Sequence, residues 1–193
     1  MLDAAAAHIE RLQRALDELS RENLEALGET LFRAYRDDKQ VFTVGNGGSS
    51  STASHIAADL AKNTIGPNMR RFRITSLNEN AAIVTALAND LGYENVFVEQ
   101  LVNLIRAGDV LVVVSASGNS PNILKAMRYA RAQSAEVVGL LGFSGGQAAE
   151  LADIAVVVPS DDYGVVEDVH LVINHILVDH FKARLEEVRP WVV

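Results

Sequence analysis

Cysteine is absent from all 193 residues. That removes disulfide frameworks, thiolate metal sites and cysteine nucleophiles together, and it fits a reducing compartment. Basic residues are scarce: 17 Lys and Arg stand against 25 Asp and Glu, for a formal net charge of −8 with histidines neutral. Nucleic acid and anionic membrane surfaces are held by basic footprints, so neither is an expected partner. No apolar run approaches the roughly 20 residues of a membrane span. The first residues, MLDAAAAHIERLQ, carry too many charges for a signal peptide. A cytoplasmic protein is expected.

What is present is a globular balance, 49% apolar and 22% charged. One domain is expected over 1–193, with N-terminal helices over 1–38 for oligomerisation and an α/β core over 39–193. Ile9, Leu12, Leu16 and Leu19 step by three and four, as do Leu24, Leu27 and Leu31, which gives helical apolar stripes. Ser20 is a cap candidate between them, for two helices or one broken helix. These stripes serve either subunit packing or coverage of the chain's own core.

From Val41 the pattern changes. Val41–Gly45, Arg71–Leu77, Val110–Ser115, Glu136–Leu141 and Ile154–Pro159 are short runs rich in β-branched residues, with helical stretches between them. Such alternation predicts a parallel sheet with helices on both faces, a three-layer α-β-α sandwich. A long helix is expected from Val166 to about Val188, after a loop at Gly164. In such sheets ligands sit beyond the carboxyl ends of the strands, where strand order reverses.

Two loops at strand ends are rich in hydroxyls. Gly45-Asn46-Gly47-Gly48-Ser49-Ser50-Ser51-Thr52 follows the first strand, and Ser115-Ala116-Ser117-Gly118-Asn119-Ser120-Pro121 follows the third. Glycines let the backbone approach a ligand, and the bare N–H groups of a helix start favour an anion. Neither loop contains Lys or Arg, so neutral donors and helix dipoles would hold a phosphate. The lysine of a P-loop and the glycine spacing of a dinucleotide fingerprint are both missing. The plainer alternative is two tight turns with helix-capping serines.

GNGGSSSTASH and SASGNSPN resemble the sugar-isomerase (SIS) domain, a flavodoxin-like fold with a five-stranded parallel sheet that binds phosphosugars. Thr85–Tyr93 (TALANDLGY) and Val166–His170 (VEDVH), with His175 beyond, resemble its phosphoheptose isomerase branch. That resemblance spans nearly the whole chain. It implies isomerisation of sedoheptulose 7-phosphate to D-glycero-D-manno-heptose 7-phosphate in a homotetramer with active sites between subunits. It places Asn46, Gly47, Gly48, Ser49, Asn89, Asp90, Ser115, Ala116, Ser117, Ser120 and Glu167 at the substrate.

His55 and Asp59 are one helical turn apart and share a face. By themselves they read as a surface hydrogen-bonded pair or as metal ligands. The resemblance implies one zinc per active site, held by residues matching His55, Asp59, Glu167 and His175. Eight residues of straight helix rise about 12 Å. Glu167 and His175 therefore share an ion only if Glu167 lies on an irregular first turn or a neighbouring subunit supplies one of them. The chain departs from the family pattern in several places: Asp59 stands for Glu, Glu167 for Gln, Ala116 for Thr, and Gly164 for an acidic residue. His8, His170 and His180 read as structural.

Aldose–ketose isomerisation moves a proton between adjacent carbons through an enediol, which needs a base near the C–H and an acid near the carbonyl oxygen. His175 with Asp59 or Glu167 are the catalytic candidates. Two rival readings stand beside this one: a SIS-domain regulatory protein binding a DnaA-like partner, and an isomerase of another sugar phosphate.

Overall fold

The computed structural model describes residues 1–66 and 70–186. The last residues of the expected C-terminal helix, 187–188, lie outside them. Two amphipathic helices, α1 (Leu2–Asp17) and α2 (Arg21–Arg36), come first. They are separate helices because Ser20 caps the second, accepting from Asn23 N at 3.2 Å. Then follow β1 (Gln40–Gly45), α3 (Gly48–Lys62), β2 (Arg73–Ser76), α4 (Ala81–Leu91), a 3₁₀ turn (Tyr93–Asn95), α5 (Val98–Leu104), β3 (Val110–Ser115), α6 (Pro121–Ala132), β4 (Glu136–Leu141), α7 (Gly146–Leu151), β5 (Ile154–Val157) and α8 (Tyr163–Glu186).

All five strands are parallel, in the order β2-β1-β3-β4-β5. Both faces are covered, which is why β3 reads as an unbroken apolar run. Successive side chains point to opposite faces. Val110, Val112 and Val114 join the core that α1, α2, α3 and α8 cover. Leu111 and Val113 join the second core, beneath α5, α6 and α7.

The expected strands are all present; β3 and β4 have the expected bounds, and the ends of the others shift by one or two residues. Helix α8 begins at Tyr163, three residues before expectation. The Asp162 carboxylate accepts from Gly164 N at 2.9 Å and Val165 N at 3.3 Å, so its side chain starts the helix where a glycine had read as loop. The Val165 amide and then the Gly164 amide hold the Asp162 carboxyl below its ordinary range against the opposing effect of desolvation. Glu167 therefore lies within a regular helix and not on an irregular turn.

Helix α4 differs from the rest. Its sequence, AAIVTALANDL, is apolar, yet none of its residues is buried. Ile83 and Leu91 are among the exposed large apolar side chains.

Candidate active site

The strand order reverses between β1 and β3. The two hydroxyl-rich loops leave these strands, and both open onto one cleft of about 200 Å³ lined by Asn46, Ser49, Val114, Ser115, Ala116, Ser117, Ser120, Tyr163 and Glu167. Backbone geometry builds this cleft. Gly118 has φ +62°, and a Cβ there would run into the Gly145 carbonyl, so the second loop turns where an L side chain would not fit. Gly48, at the start of α3, faces the Glu167 carboxylate: a Cβ would lie 2.5 Å from Glu167 Oε1.

The capping alternative is not observed. Gly47 precedes α3 and Ser120 precedes α6, and neither residue caps its helix with a side chain, although the Ile123 amide of α6 donates to Asn122 Oδ1 at 2.9 Å. Some serines do stiffen their turns: Ser115 Oγ accepts from Gly118 N at 3.2 Å, and Ser50 Oγ donates to Gly47 O at 2.7 Å. Two amides at these helix starts are already bonded, Ser50 N to Gly47 O and Ile123 N to Asn122 Oδ1. No lysine or arginine is among the cleft-lining residues, and Glu167 adds an acidic group.

Asn46 is locked in place. It exchanges two hydrogen bonds with the buried Asn122 of α6, at 2.9 and 2.8 Å, and its Oδ1 also accepts from Tyr93 Oη at 2.9 Å. Asn122, Tyr93 and Tyr163 were not among the sequence candidates. Asn122 lies inside the SASGNSPN run and Tyr93 inside TALANDLGY, so the motifs held the signal without assigning it. Tyr163 follows an aspartate pair in what read as loop and had no signal.

A second constellation joins α3 to α8. His55 Nε2 lies 3.1 Å from Asp59 Oδ2, and His175 Nε2 lies 3.9 Å from the same oxygen. One ligand atom from each of the three residues falls within 4.8 Å of the others. Tetrahedral zinc at about 2.1 Å from its ligands sets them roughly 3.4 Å apart, so two nitrogens and a carboxylate oxygen at this spacing fit a zinc ion. Among the described residues this is the group of three that gathers, and Glu167 is not part of it. Glu167 and His175 are eight residues apart on continuous α8, about 12 Å along its axis.

Asn89 and Asp90 bond to each other at 2.7 Å on the exposed end of α4 and are not among the residues lining the cleft. His8 bridges α1 to Asp168 at 2.7 Å. His170 is fully buried, with Nε2 at 3.1 Å from the Leu141 carbonyl; burial pushes its pKa down to about 4, against the opposing pull of that carbonyl. His180 stacks edge-on against Phe181. All three fit structural roles.

A model of the SIS domain matches residues 6–142. The chain belongs to the SIS-domain family. Within it, the chain is 35% identical over 188 residues to a phosphoheptose isomerase of Geotalea daltonii, covering 96% of this chain and 97% of that protein. It is 38% identical over 169 residues to the phosphoheptose isomerase of Mycobacterium tuberculosis, covering 88% and 86%. The phosphoheptose isomerase structure from Neisseria gonorrhoeae superposes with a TM-score of 0.86 at 29% identity, over 94% of this chain and 96% of that one. The two loops that sequence had singled out are walls of the cleft at the strand-order reversal.

Proposed function

We propose that this SIS-family chain is an aldose–ketose isomerase that interconverts sedoheptulose 7-phosphate and D-glycero-D-manno-heptose 7-phosphate. The observation that carries the reading is the convergence of both serine loops on one cleft, in a chain whose relatives are phosphoheptose isomerases. The phosphate sits against Ser49, Ser115, Ser117 and Ser120 and the first amides of α3 and α6. Asn46, held by Asn122 and Tyr93, presents a fixed amide to a sugar hydroxyl. Gly47 and Gly48 keep that wall free of side chains, and Ala116 lines its floor.

His55, Asp59 and His175 would hold the zinc ion, which when bound polarises the substrate carbonyl and lowers the barrier to enolisation. His175 is 57% exposed at its side chain and exchanges protons with the sugar oxygens. The carbon-bound proton goes to Asp59 or to Glu167. Asp59 lies against both imidazoles; Glu167 stands inside the cleft beside Gly48.

Because Glu167 and His175 are about 12 Å apart along one helix, a zinc ion that takes Glu167 takes it from a neighbouring subunit. The uncovered apolar face of α4, with Ile83 and Leu91 exposed, supports contact with a neighbouring subunit, as in a homotetramer. Among the described residues no helix is long and apolar enough to cross a membrane. The regulatory reading with a DnaA-like partner is not favoured: the relatives are named isomerases, and the His/carboxylate set stands assembled.

Turnover of sedoheptulose 7-phosphate, with metal analysis of the purified protein, tests the proposal. Metal with turnover is expected. Metal without turnover would move the substrate to another sugar phosphate, and neither would return the regulatory reading. Full activity in an Asp59→Asn, Glu167→Gln double variant would remove both carboxylates from the chemistry.

A further inference from the structure

Asp59 is held by more than the two histidines. Its Oδ1 accepts from Asn63 Nδ2 at 2.8 Å, and its Oδ2 accepts from Asn174 Nδ2 at 2.8 Å. Asn63 is one turn further along at the end of α3, and Asn174 comes from α8, so the carboxylate is gripped from two elements. The terminal torsion of an aspartate is broad and nearly two-fold, and a free Asp59 would sample many carboxylate planes. An amide on each oxygen selects one. In that plane Oδ2 points between His55 Nε2 and His175 Nε2.

Asn174 is an unusual residue for its place. It is fully buried, beside the buried apolar Ile173 and Leu177. Its Oδ1 has no hydrogen-bond partner. A buried acceptor without a partner weakens a fold; an apolar side chain there would remove that orphan but would also take a donor from the Asp59 carboxylate, whose side chain is 13% exposed. What asparagine supplies at 174 and an apolar residue would not is this one donor to Asp59. Turning the amide over would set Oδ1 against the Asp59 carboxylate, oxygen to oxygen, so the donor end is the one that faces Asp59. The next residue along α8 is His175, so one stretch of helix supplies both the imidazole and the amide that aims its partner.

We propose that Asn174 and Asn63 are positioning residues that fix the Asp59 carboxylate in the plane where it works with His55 and His175. This deepens the reading in which Asp59 serves the reaction, and rests on it. Hydrogen-bonding partners of first ligands typically change metal affinity or activity about 10–100-fold when removed.

The test compares Asn174→Leu, Asp59→Ala and the double variant with the parent. Three quantities are read: the thermal midpoint of metal-free protein, its affinity for Zn²⁺ by competition with a chromophoric chelator, and kcat and KM for sedoheptulose 7-phosphate. Asn174→Leu is expected to lose about 10–100-fold in Zn²⁺ affinity and in kcat, with a small change in midpoint, because losing the donor to Asp59 offsets removing the orphan acceptor. Its KM should stay within about twofold, since the phosphate loops are untouched. In the Asp59→Ala background Asn174→Leu should add nothing further, because a residue acting through Asp59 has nothing left to aim. Asn63→Ala should follow the same coupling with a lower midpoint, because Asn63 also ends α3.

Parental Zn²⁺ affinity and kcat in Asn174→Leu overturn the proposal, as does an equal loss in both backgrounds. If the leucine does not fold, Asn174→Ala is read in the same way. A fallen midpoint with unchanged affinity and kcat there makes Asn174 structural and also overturns it. If the parent holds Zn²⁺ too weakly to measure, the coupling in kcat decides. Asp59→Ala with parental kcat would sink the underlying reading of Asp59; an inactive Asp59→Ala beside an unaffected Asn174→Leu sinks this proposal alone.

Discussion

The cleft at the β1/β3 reversal and the His55–Asp59–His175 group are built on opposite principles. Loop backbone, glycines and short hydroxyl side chains make the cleft, and among its lining residues Glu167 is the one that carries a formal charge. Side chains on two long helices make the other group, and it is all imidazole and carboxylate. The difference matches two tasks. Holding a phosphate needs many weak, fixed donors, which the backbone supplies without rearrangement. Moving a proton or polarising a carbonyl needs groups with tunable protonation, which helices place to within an ångström. Helices α3 and α8 join the two regions: each starts at the cleft and carries the second group further along.

The largest effect that would sharpen this contrast is on turnover. Asp59→Ala is expected to lower kcat about 10²–10⁴-fold with little change in KM, measured by steady-state kinetics on sedoheptulose 7-phosphate. A main effect on KM would blur the division of labour.

His170 lies between the regions on α8, packed beneath the end of β4. Its pKa is about 4 in the folded chain against 6.5 as the ordinary value. Between those pH values the unfolded chain binds a proton that the folded chain does not. Stability therefore rises with pH through this window and is lost as pH falls from about 6.5 toward 4, by up to about 3 kcal/mol. Chemical denaturation across pH 4–7 should show that slope, and His170→Gln should flatten it.

Gly118→Ala tests whether the cleft is truly a backbone construction. Positive φ and the Gly145 carbonyl together predict a loss of about 1–3 kcal/mol in stability and a raised KM, seen by denaturant melts and kinetics. The smallest effect is expected from Ser115→Ala. One neutral hydrogen bond, about 1 kcal/mol, should raise KM roughly fivefold for the phosphorylated sugar and leave kcat nearly unchanged. An equal effect on the unphosphorylated ketose would place that serine elsewhere on the substrate.

Much of the first region was legible before the fold. Alternating β-branched runs and helices called the parallel sheet, and the glycine–serine loops called their own position at strand ends, because loop chemistry is local in sequence. The second region was only half legible. His55 and Asp59 show as a pair one turn apart, but His175 is 116 residues beyond Asp59, and no periodicity connects them. Asn174 left no signal at all. A lone asparagine on an apolar stripe looks like a blemish until Asp59 is seen across from it at 2.8 Å.

By itself the sequence determined the strand–helix alternation, the two hydroxyl-rich turns without Lys or Arg and the family they resemble, since each is written within a few consecutive residues. Tertiary structure alone decided that both turns open into one cleft, that Glu167 stands in that cleft and apart from His175, and that two asparagines aim Asp59. Those relations depend on how α3 and α8 cross the sheet. Such a crossing follows from burying whole faces of helix and strand, which no short stretch of chain records.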